Sequence, residues 1–520
     1  MIVRAGATEN EAQRTGWRGV ASGLAAALLL TSCTLGPDWF RPTPPEAAGY
    51  APEAPAQTAQ TDIPAGEAQR FLQDMDIPGE WWTLFRSEPL NQLIELGLQN
   101  NYDVKAAQAA LRAANDNVYA QMGAYYPSIA AGFNRTRART SQDVAPVPAN
   151  NSSSYTLYTA QLSVSYMPDV FGGVRRSVES LRAQAESQRF VLEATYLTLT
   201  SNIVTAAIQE ASLRGQIDAT QQIVAIETDL LGLLRRQYEL GQVAGLDVAA
   251  QEAALAQAQQ ALPPLQKQLA LQRDLLIALI GNFPDKPLAQ QFDLASLHLP
   301  ADLPLTLPSK LVEQRPDVRQ AEANLHSATA QIGVAIANRL PNFTIGGDFG
   351  GQALSFSNLL SSSNAAWDFI VSATQPVFQG GTLLYRERLA REVYEQAFQQ
   401  YRGAVVGAFQ NVADALHALQ SDADALKAAD ATERATRTSF DLTRRQVELG
   451  QANYLSLLTA QQAYLQALIN RIQAQANRYA DTAALFQALG GGWWNRNDVG
   501  PQPQPVFPWQ KAEDSGRARN

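Results

Sequence analysis

The chain has 520 residues, a formal net charge of −9 and one cysteine. An acidic chain of this kind lacks the basic face of a nucleic-acid binder, and a single thiol excludes an internal disulfide framework. The length allows a large core or several domains, and no run after residue 33 offers the roughly 18 uncharged apolar residues of a membrane helix, which leaves a chain that is soluble, hung from lipid, or membrane-inserted as β-strands.

The first element is a leader. Val20 to Leu30 (VASGLAAALLL) has the length of a signal-peptide core, with Arg14 and Arg18 in front of it. Leu30-Thr31-Ser32-Cys33 then sets small residues directly before the cysteine. This arrangement resembles the lipobox of bacterial lipoproteins, which implies that residues 1–32 are a lipoprotein signal peptide and that Cys33 is the lipidation site, acylated with palmitate-type chains. Glu9 and Glu11 are foreign to the front of such a leader and point to a translation start downstream of Met1. Residues 33–89 follow as a lipid anchor and extended segment; Pro42 to Pro64, rich in Pro, Ala, Glu and Gln, predicts a tether.

From there the chain is written twice. Tyr102-Asp103-Val104-Lys105 matches Pro316-Asp317-Val318-Arg319 at an offset of 214, and the same offset carries Pro127 onto Pro341. Pro168 with Gly172-Gly173 matches Pro376 with Gly380-Gly381 at an offset of 208. RRQYELGQVAGLDV (Arg235 to Val248) matches RRQVELGQANYLSL (Arg444 to Leu457) at an offset of 209. Three blocks in one order at nearly one spacing are a tandem duplication, with repeats at 90–310 and 311–494 and a disordered tail at 495–520.

Each repeat opens with a helix-forming mixture, Leu90 to Tyr125 in the first. The period then falls to two. Tyr158, Ala160, Leu162, Val164 and Tyr166 share one face, while Thr159, Gln161, Ser163 and Ser165 share the other. In the second repeat Phe343, Ile345 and Phe349 oppose Asn342, Thr344 and Asp348, and Trp367, Phe369, Val371 and Ala373 oppose Asp368, Ser372 and Thr374. One hairpin per repeat, greasy on one face and polar on the other, fits outer-membrane barrel strands; a hairpin packed on a soluble core fits the same pattern. Four strands cannot close a barrel, and open edges are not tolerated in lipid. If the strands enter a membrane, three copies supply twelve.

After each hairpin comes a proline-free helical stretch, Gly173 to Leu240 and Thr382 to Leu449, each about 100 Å long at 1.5 Å per residue. Each stops at Gly-Gln and returns as a shorter partner, Leu246 to Ile280 and Leu455 to Leu489. These partners are Ala- and Gln-rich, which suits a hollow cylinder wet on both faces better than a solid bundle. Pro263-Pro264 predicts a break in the first partner.

The lipobox, Cys33-Thr-Leu-Gly-Pro-Asp-Trp-Phe-Arg-Pro, Trp81-Trp82-Thr-Leu-Phe-Arg, RPDVRQAEANL (Arg315 to Leu325), Leu279-Ile280-Gly281-Asn282-Phe283-Pro284 and Gly490-Gly491-Gly492-Trp493-Trp494 together resemble the TolC-like outer-membrane factor family in its NodT-type lipoprotein branch. The resemblance implies a mainly α fold with a small β part. Long antiparallel helices would form one third of a trimeric α-barrel, and four strands would contribute to a twelve-stranded transmembrane β-barrel. A mixed belt would take in the linker Asp285 to Pro308 and the C-terminal stretch. It further implies a homotrimer in the outer membrane, lipid-anchored and reaching into the periplasm. There it would be the passive exit duct of a tripartite efflux pump for drugs or toxic compounds, served by a periplasmic adaptor (membrane fusion) protein and an inner-membrane RND-type transporter. A type I protein-secretion duct and a periplasmic coiled-coil scaffold lipoprotein are the rival readings.

In that family the tip turns meet the adaptor, which implies contact through Gly241, Ala244, Gly245, Asp247, Gly450 and Asn453, with Tyr454 and Leu455 as a candidate gate. Ser456 and Thr459 stand where some members carry acids. Asp247 has a second reading as a helix N-cap. No catalytic constellation is expected, nor a cofactor or metal: His298, His326 and His417 are scattered without ligand spacing, and the run Gly346 to Gly351 reads as a strand end. Replacing Cys33 by Ser is expected to slow assembly or misplace the protein while leaving a chain that trimerises in detergent; failure to trimerise on a native gel contradicts this.

Overall fold

A computed structural model describes residues 34–45, 49–50, 57–73, 75–139 and 154–496. Cys33, the expected signal peptide, most of the first hairpin loop, parts of the expected tether and the tail beyond Arg496 lie outside the described residues.

In chain order the elements are β1 (Arg70–Gln73), α1 (Glu88–Asn100), α2 (Tyr102–Met122), β2 (Ser128–Arg139), β3 (Ser154–Tyr166), α3 (Gly173–Glu239), α4 (Gly245–Leu279), β4 (Asp302–Leu305), α5 (Pro308–Gln314), α6 (Pro316–Ala337), β5 (Asn342–Ala353), β6 (Ala365–Thr374), α7 (Thr382–Glu448) and α8 (Tyr454–Ala488). The fold is mainly α with a small β part, and the duplication holds element by element. α3 and α7 have 67 residues each, α4 and α8 have 35 each, and β2 and β5 have 12 each.

The helix stops repeat as well. Gly241 and Gly450 both sit at φ 71°. Around the first, Gln242 N–H donates to Gln237 C=O at 2.8 Å and Gly241 N–H to Tyr238 C=O at 2.9 Å; around the second, Gln451 donates to Gln446 at 2.8 Å and Gly450 to Val447 at 3.0 Å. Both are Schellman closures, whose left-handed residue suits glycine. The expected break at Pro263-Pro264 does not occur, since α4 runs through both prolines. The carbonyls they leave unpaired belong to Gln259 and Gln260 on an exposed stretch, where water satisfies them.

The chain divides into two units. One comprises residues up to 41, 113–186 and 323–399. It holds the antiparallel sheet in the order β2-β3-β5-β6, in which β2 and β6 are the edges among the described residues. Ser128 pairs with Ser165 and Asn342 with Thr374, so the two hairpins share one register plan. The glycine run Gly346 to Gly351 is not a strand end but the body of β5. A Cβ at Gly350 would meet the Ala160 carbonyl at 2.1 Å, so the strands approach where a side chain has no room. The segment around Leu35 and Asp38 is held within this unit: Arg176 donates to the Leu35 carbonyl at 3.1 Å and pairs with Asp38 at 2.7 Å. Trp39 stacks on His326 with ring centres 4.6 Å apart.

The second unit comprises residues 42–112, 187–322 and those from 400 onward. Its core gathers Trp81, Phe85, Tyr479 and Phe486, all buried, with Trp81 stacked on Phe486 at 5.4 Å. β1 pairs in parallel with β4, drawing the linker onto the early segment. Part of the expected tether is packed instead: Thr58 is buried and accepts a hydrogen bond from Arg478, itself fully buried, at 2.9 Å. Gln69 donates to Thr482 at 3.2 Å and Thr61 to Asp430 at 2.9 Å. Composition could not show this, because the anchoring residues are single polar side chains spaced along a Pro- and Ala-rich strap. Among the described residues, α3 alone holds a stretch apolar enough to cross a membrane, and 56% of it is buried within the chain. It tolerates the charges that the sequence expectation excluded, and its burial marks a packing stripe.

Asp422 of α7 is hydrogen-bonded to Asp481 of α8; burial, then that second carboxyl, pushes its pKa up to about 7. The folded chain therefore holds a proton that the unfolded chain releases near pH 4, and stability falls as pH rises from about 4 to about 7. Thermal melting in detergent is expected to show that slope in the wild type and a flatter one in Asp422→Asn; equal slopes contradict it.

Candidate functional site

The sheet carries the first functional surface. Leu162 of β3 lies opposite Ala131 of β2 and Phe349 of β5, and Phe349 lies opposite Trp367 of β6. Directly paired residues point to the same side, so one face gathers Ile129, Phe133, Leu162, Phe349, Trp367 and Phe369, each at least half exposed. An exposed apolar face of this extent has no solvent in water. The opposite face is polar. Ser163 and Gln161 both donate to the Asp348 carboxylate, and Asp348 faces Asp368.

The turns between long helices carry the second. Ala244 is the N-cap of α4, and its N–H donates to the Asp247 carboxylate at 3.2 Å. Asp247 is thus the third residue of the helix, its carboxylate reaching back to the N-cap N–H as in one half of a capping box, and is not the N-cap itself. Gly245 packs beneath the Tyr238 ring, where an added Cβ would lie 3.5 Å away. Asn453 is the N-cap of α8; its side-chain oxygen accepts from Ser456 N–H at 2.8 Å and Ser456 Oγ at 2.6 Å. Thr459 returns its hydroxyl to the Leu455 carbonyl at 3.0 Å. The two candidate gate residues have opposite environments. Leu455 is 68% exposed, whereas Tyr454 is buried among Leu234, Ala254, Phe440, Leu457 and Leu458.

Sequence reasoning missed what holds Tyr454. Its hydroxyl donates to Gln251 Oε1 at 2.7 Å, and Gln251 Nε2 donates to the Glu227 carbonyl at 2.9 Å and to the Glu227 carboxylate. Burial raises the Glu227 pKa, although the hydrogen bond from Gln251 to the carboxylate opposes the shift. α3, α4 and α8 are knitted here by direct hydrogen bonds between side chains. The signal that could have found it is the disagreement between the repeats: at the offset of 209, Glu227, Gln251 and Tyr454 correspond to Thr436, Ala460 and Gly245.

A profile described as outer membrane efflux protein matches residues 93–282 and 307–491. The chain is similar to a pyoverdine export outer membrane protein, OpmQ, of Pseudomonas putida, at 29% identity over 90% of this chain and 97% of that one. It is similar at 27% to a toluene efflux pump outer membrane protein, TtgF, of Pseudomonas putida, over 91% and 96% of the two chains. The solved structure of the outer-membrane channel OprN superposes with a TM-score of 0.78 at 26% identity, covering 89% of this chain and all of that one. With both repeats matched, the chain belongs to the outer membrane efflux protein family.

Proposed function

We propose that three copies of the chain close into the outer-membrane exit duct of a tripartite efflux pump, passing small molecules from periplasm to outside without chemistry of its own. The observation that carries this is the sheet, with a broad apolar face exposed, a polar face opposite, and both edges unpaired among the described residues. Lipid covers the first face, the water-filled lumen takes the second, and strands of neighbouring copies complete the edges. The export of pyoverdine and of toluene by the named relatives supports a small-molecule cargo.

In this reading residues 1–32 are removed, Cys33 is acylated, 33–89 anchor and brace the chain, 90–310 and 311–494 are the two repeats, and 495–520 form a tail. A periplasmic adaptor docks on Gly241, Ala244, Gly245, Asp247, Gly450 and Asn453, and an inner-membrane RND-type transporter supplies the drive. The short capped turns support the docking role, because their backbone is fixed by its own hydrogen bonds and leaves Leu246 and Leu455 exposed. Leu455 is the moving part of the gate, and Tyr454, held by Gln251, is its hinge.

A photoreactive group at Ala244 or Asn453, crosslinked in cells, is expected to trap the adaptor of a proton-driven pump. Trapping the adaptor of an ATP-driven exporter instead moves the reading to protein secretion, and trapping only peptidoglycan fragments removes the duct.

A further inference from the structure

The apolar face of the sheet is roofed at its loop end. Residues 354–364, between β5 and β6, fold back onto it: the Phe356 ring meets Phe133 at 6.2 Å and Tyr158 at 5.9 Å. The roof rests on a row of small residues, since Ala160 of β3 pairs with Gly351 of β5 and Gly351 with Ala365 of β6. A Cβ at Gly351 would meet the Leu359 carbonyl at 2.1 Å, so the loop lies where a side chain has no room. Leu359 is buried, while Leu360 is 89% exposed. The loop can lie against a lipid-facing wall because its turns close their own hydrogen bonds. Leu359 N–H donates to the Phe356 carbonyl at 3.2 Å, Ser361 N–H to the Asn358 carbonyl at 3.1 Å, and Asn364 Nδ2 to that same carbonyl at 2.8 Å. Between roof and wall is a cavity of about 410 Å³, lined chiefly by Ala131, Ala160, Leu162, Phe349, Leu359 and Leu360, a volume within the range of ligand sites. Of the polar side chains on its border, Gln161 is committed to Asp348 and Ser361 to the Asn358 carbonyl. Such a site suits a ligand without polar groups.

Thr34 lies at the foot of the same face. A Cβ at Gly172 would meet Thr34 Cα at 3.0 Å, and Leu35 N–H donates to the Phe171 carbonyl at 3.4 Å. The Phe171 ring is 6.3 Å from that of Phe343, which opens the apolar face of β5. Cys33 directly precedes Thr34. From Phe343 up to Phe349 at the cavity is a climb of about 20 Å along the strand. The wall is lowered on the way, because Gly347, between Val164 and Phe369, has no side chain. An acyl chain covers about 15 Å, half of a hydrocarbon core, without being fully extended, and a glyceryl thioether adds to its reach. We infer that the cavity receives the distal part of an acyl chain carried by Cys33, so that the anchor is held by the wall of its own copy. The inference rests on the sheet being the lipid-facing wall of the duct and on acylation of Cys33.

The test feeds cells a palmitate analogue with a diazirine at its tip, irradiates their outer membranes, and reads crosslinked peptides of the full-length assembly by mass spectrometry. The expected product joins the Cys33 peptide, its glyceryl thioether intact, to a peptide containing Leu359 and Leu360 or Ala160 and Leu162. Cavity peptides that carry only the mass of a phospholipid assign the site to a membrane lipid and overturn the inference. A Cys33 chain crosslinked to lipid alone, or a Cys33 of unmodified mass, overturns it as well. Ala131→Trp puts an indole into the cavity and is expected to lower the joined product at least about tenfold while Cys33 stays acylated; an equal yield overturns the inference. Should that variant not assemble, Ala365→Leu fills the cavity from β6 and is held to the same outcomes. Planar-bilayer conductance separates the two levels: a wild type that does not conduct removes the duct, whereas a conducting wild type without the joined product removes only the acyl site.

Discussion

A strand edge in hydrocarbon has no solvent for its N–H and C=O groups, and each group left bare costs several kcal/mol. Almost everything about this chain follows from that constraint. The apolar face built on Phe133, Leu162, Phe349 and Trp367 belongs in lipid, yet β2 and β6 end the sheet unpaired. The remedy is to let each copy finish the next. A duplicated chain is well suited to this, because the join between its own hairpins, β3 against β5, is already a rehearsal of the join between copies.

The helices answer a different demand. A wall wetted on both sides cannot rely on a greasy core, so its contacts are made by small residues and by sparse polar clusters. Tyr454, Gln251 and Glu227 form one such cluster, and the Asp422–Asp481 pair beside fully buried Arg478 forms another. Buried polar groups are costly unless satisfied. They therefore fix helix register where Ala and Gln alone would let it slide, and they make that register sensitive to protonation.

Much of this was legible in the sequence. The offsets between Arg235–Val248 and Arg444–Leu457 located both turns, and period-two alternation located β3, β5 and β6, because duplication and alternation are properties of the chain's own order. Context was not legible. Pro263-Pro264 looked like a break, but an exposed helix passes its lost bonds to water. Gly346 to Gly351 looked like an ending, but close strand approach calls for missing side chains. The tether looked free, but Arg478 and Asp430 hold it through Thr58 and Thr61. Asp247 proved to cap from the third helical position, a choice that depends on where the helix starts by a single residue.

The pairing of copies is the central claim, and the duplication fixes its register. Within the chain Ser163 of β3 faces Asp348 of β5. The equivalent positions of the pairs Ser128 with Ser165 and Asn342 with Thr374 map β3 onto β6 and β5 onto β2. Ser372 of one copy should therefore face Asn134 of the next. The direct measurement is oxidative crosslinking of Asn134→Cys/Ser372→Cys in outer membranes, read as mass on a denaturing gel. The account predicts a covalent ring of three chains, lost on reduction. Chains that remain single under oxidation, with both thiols reactive to maleimide, would contradict it.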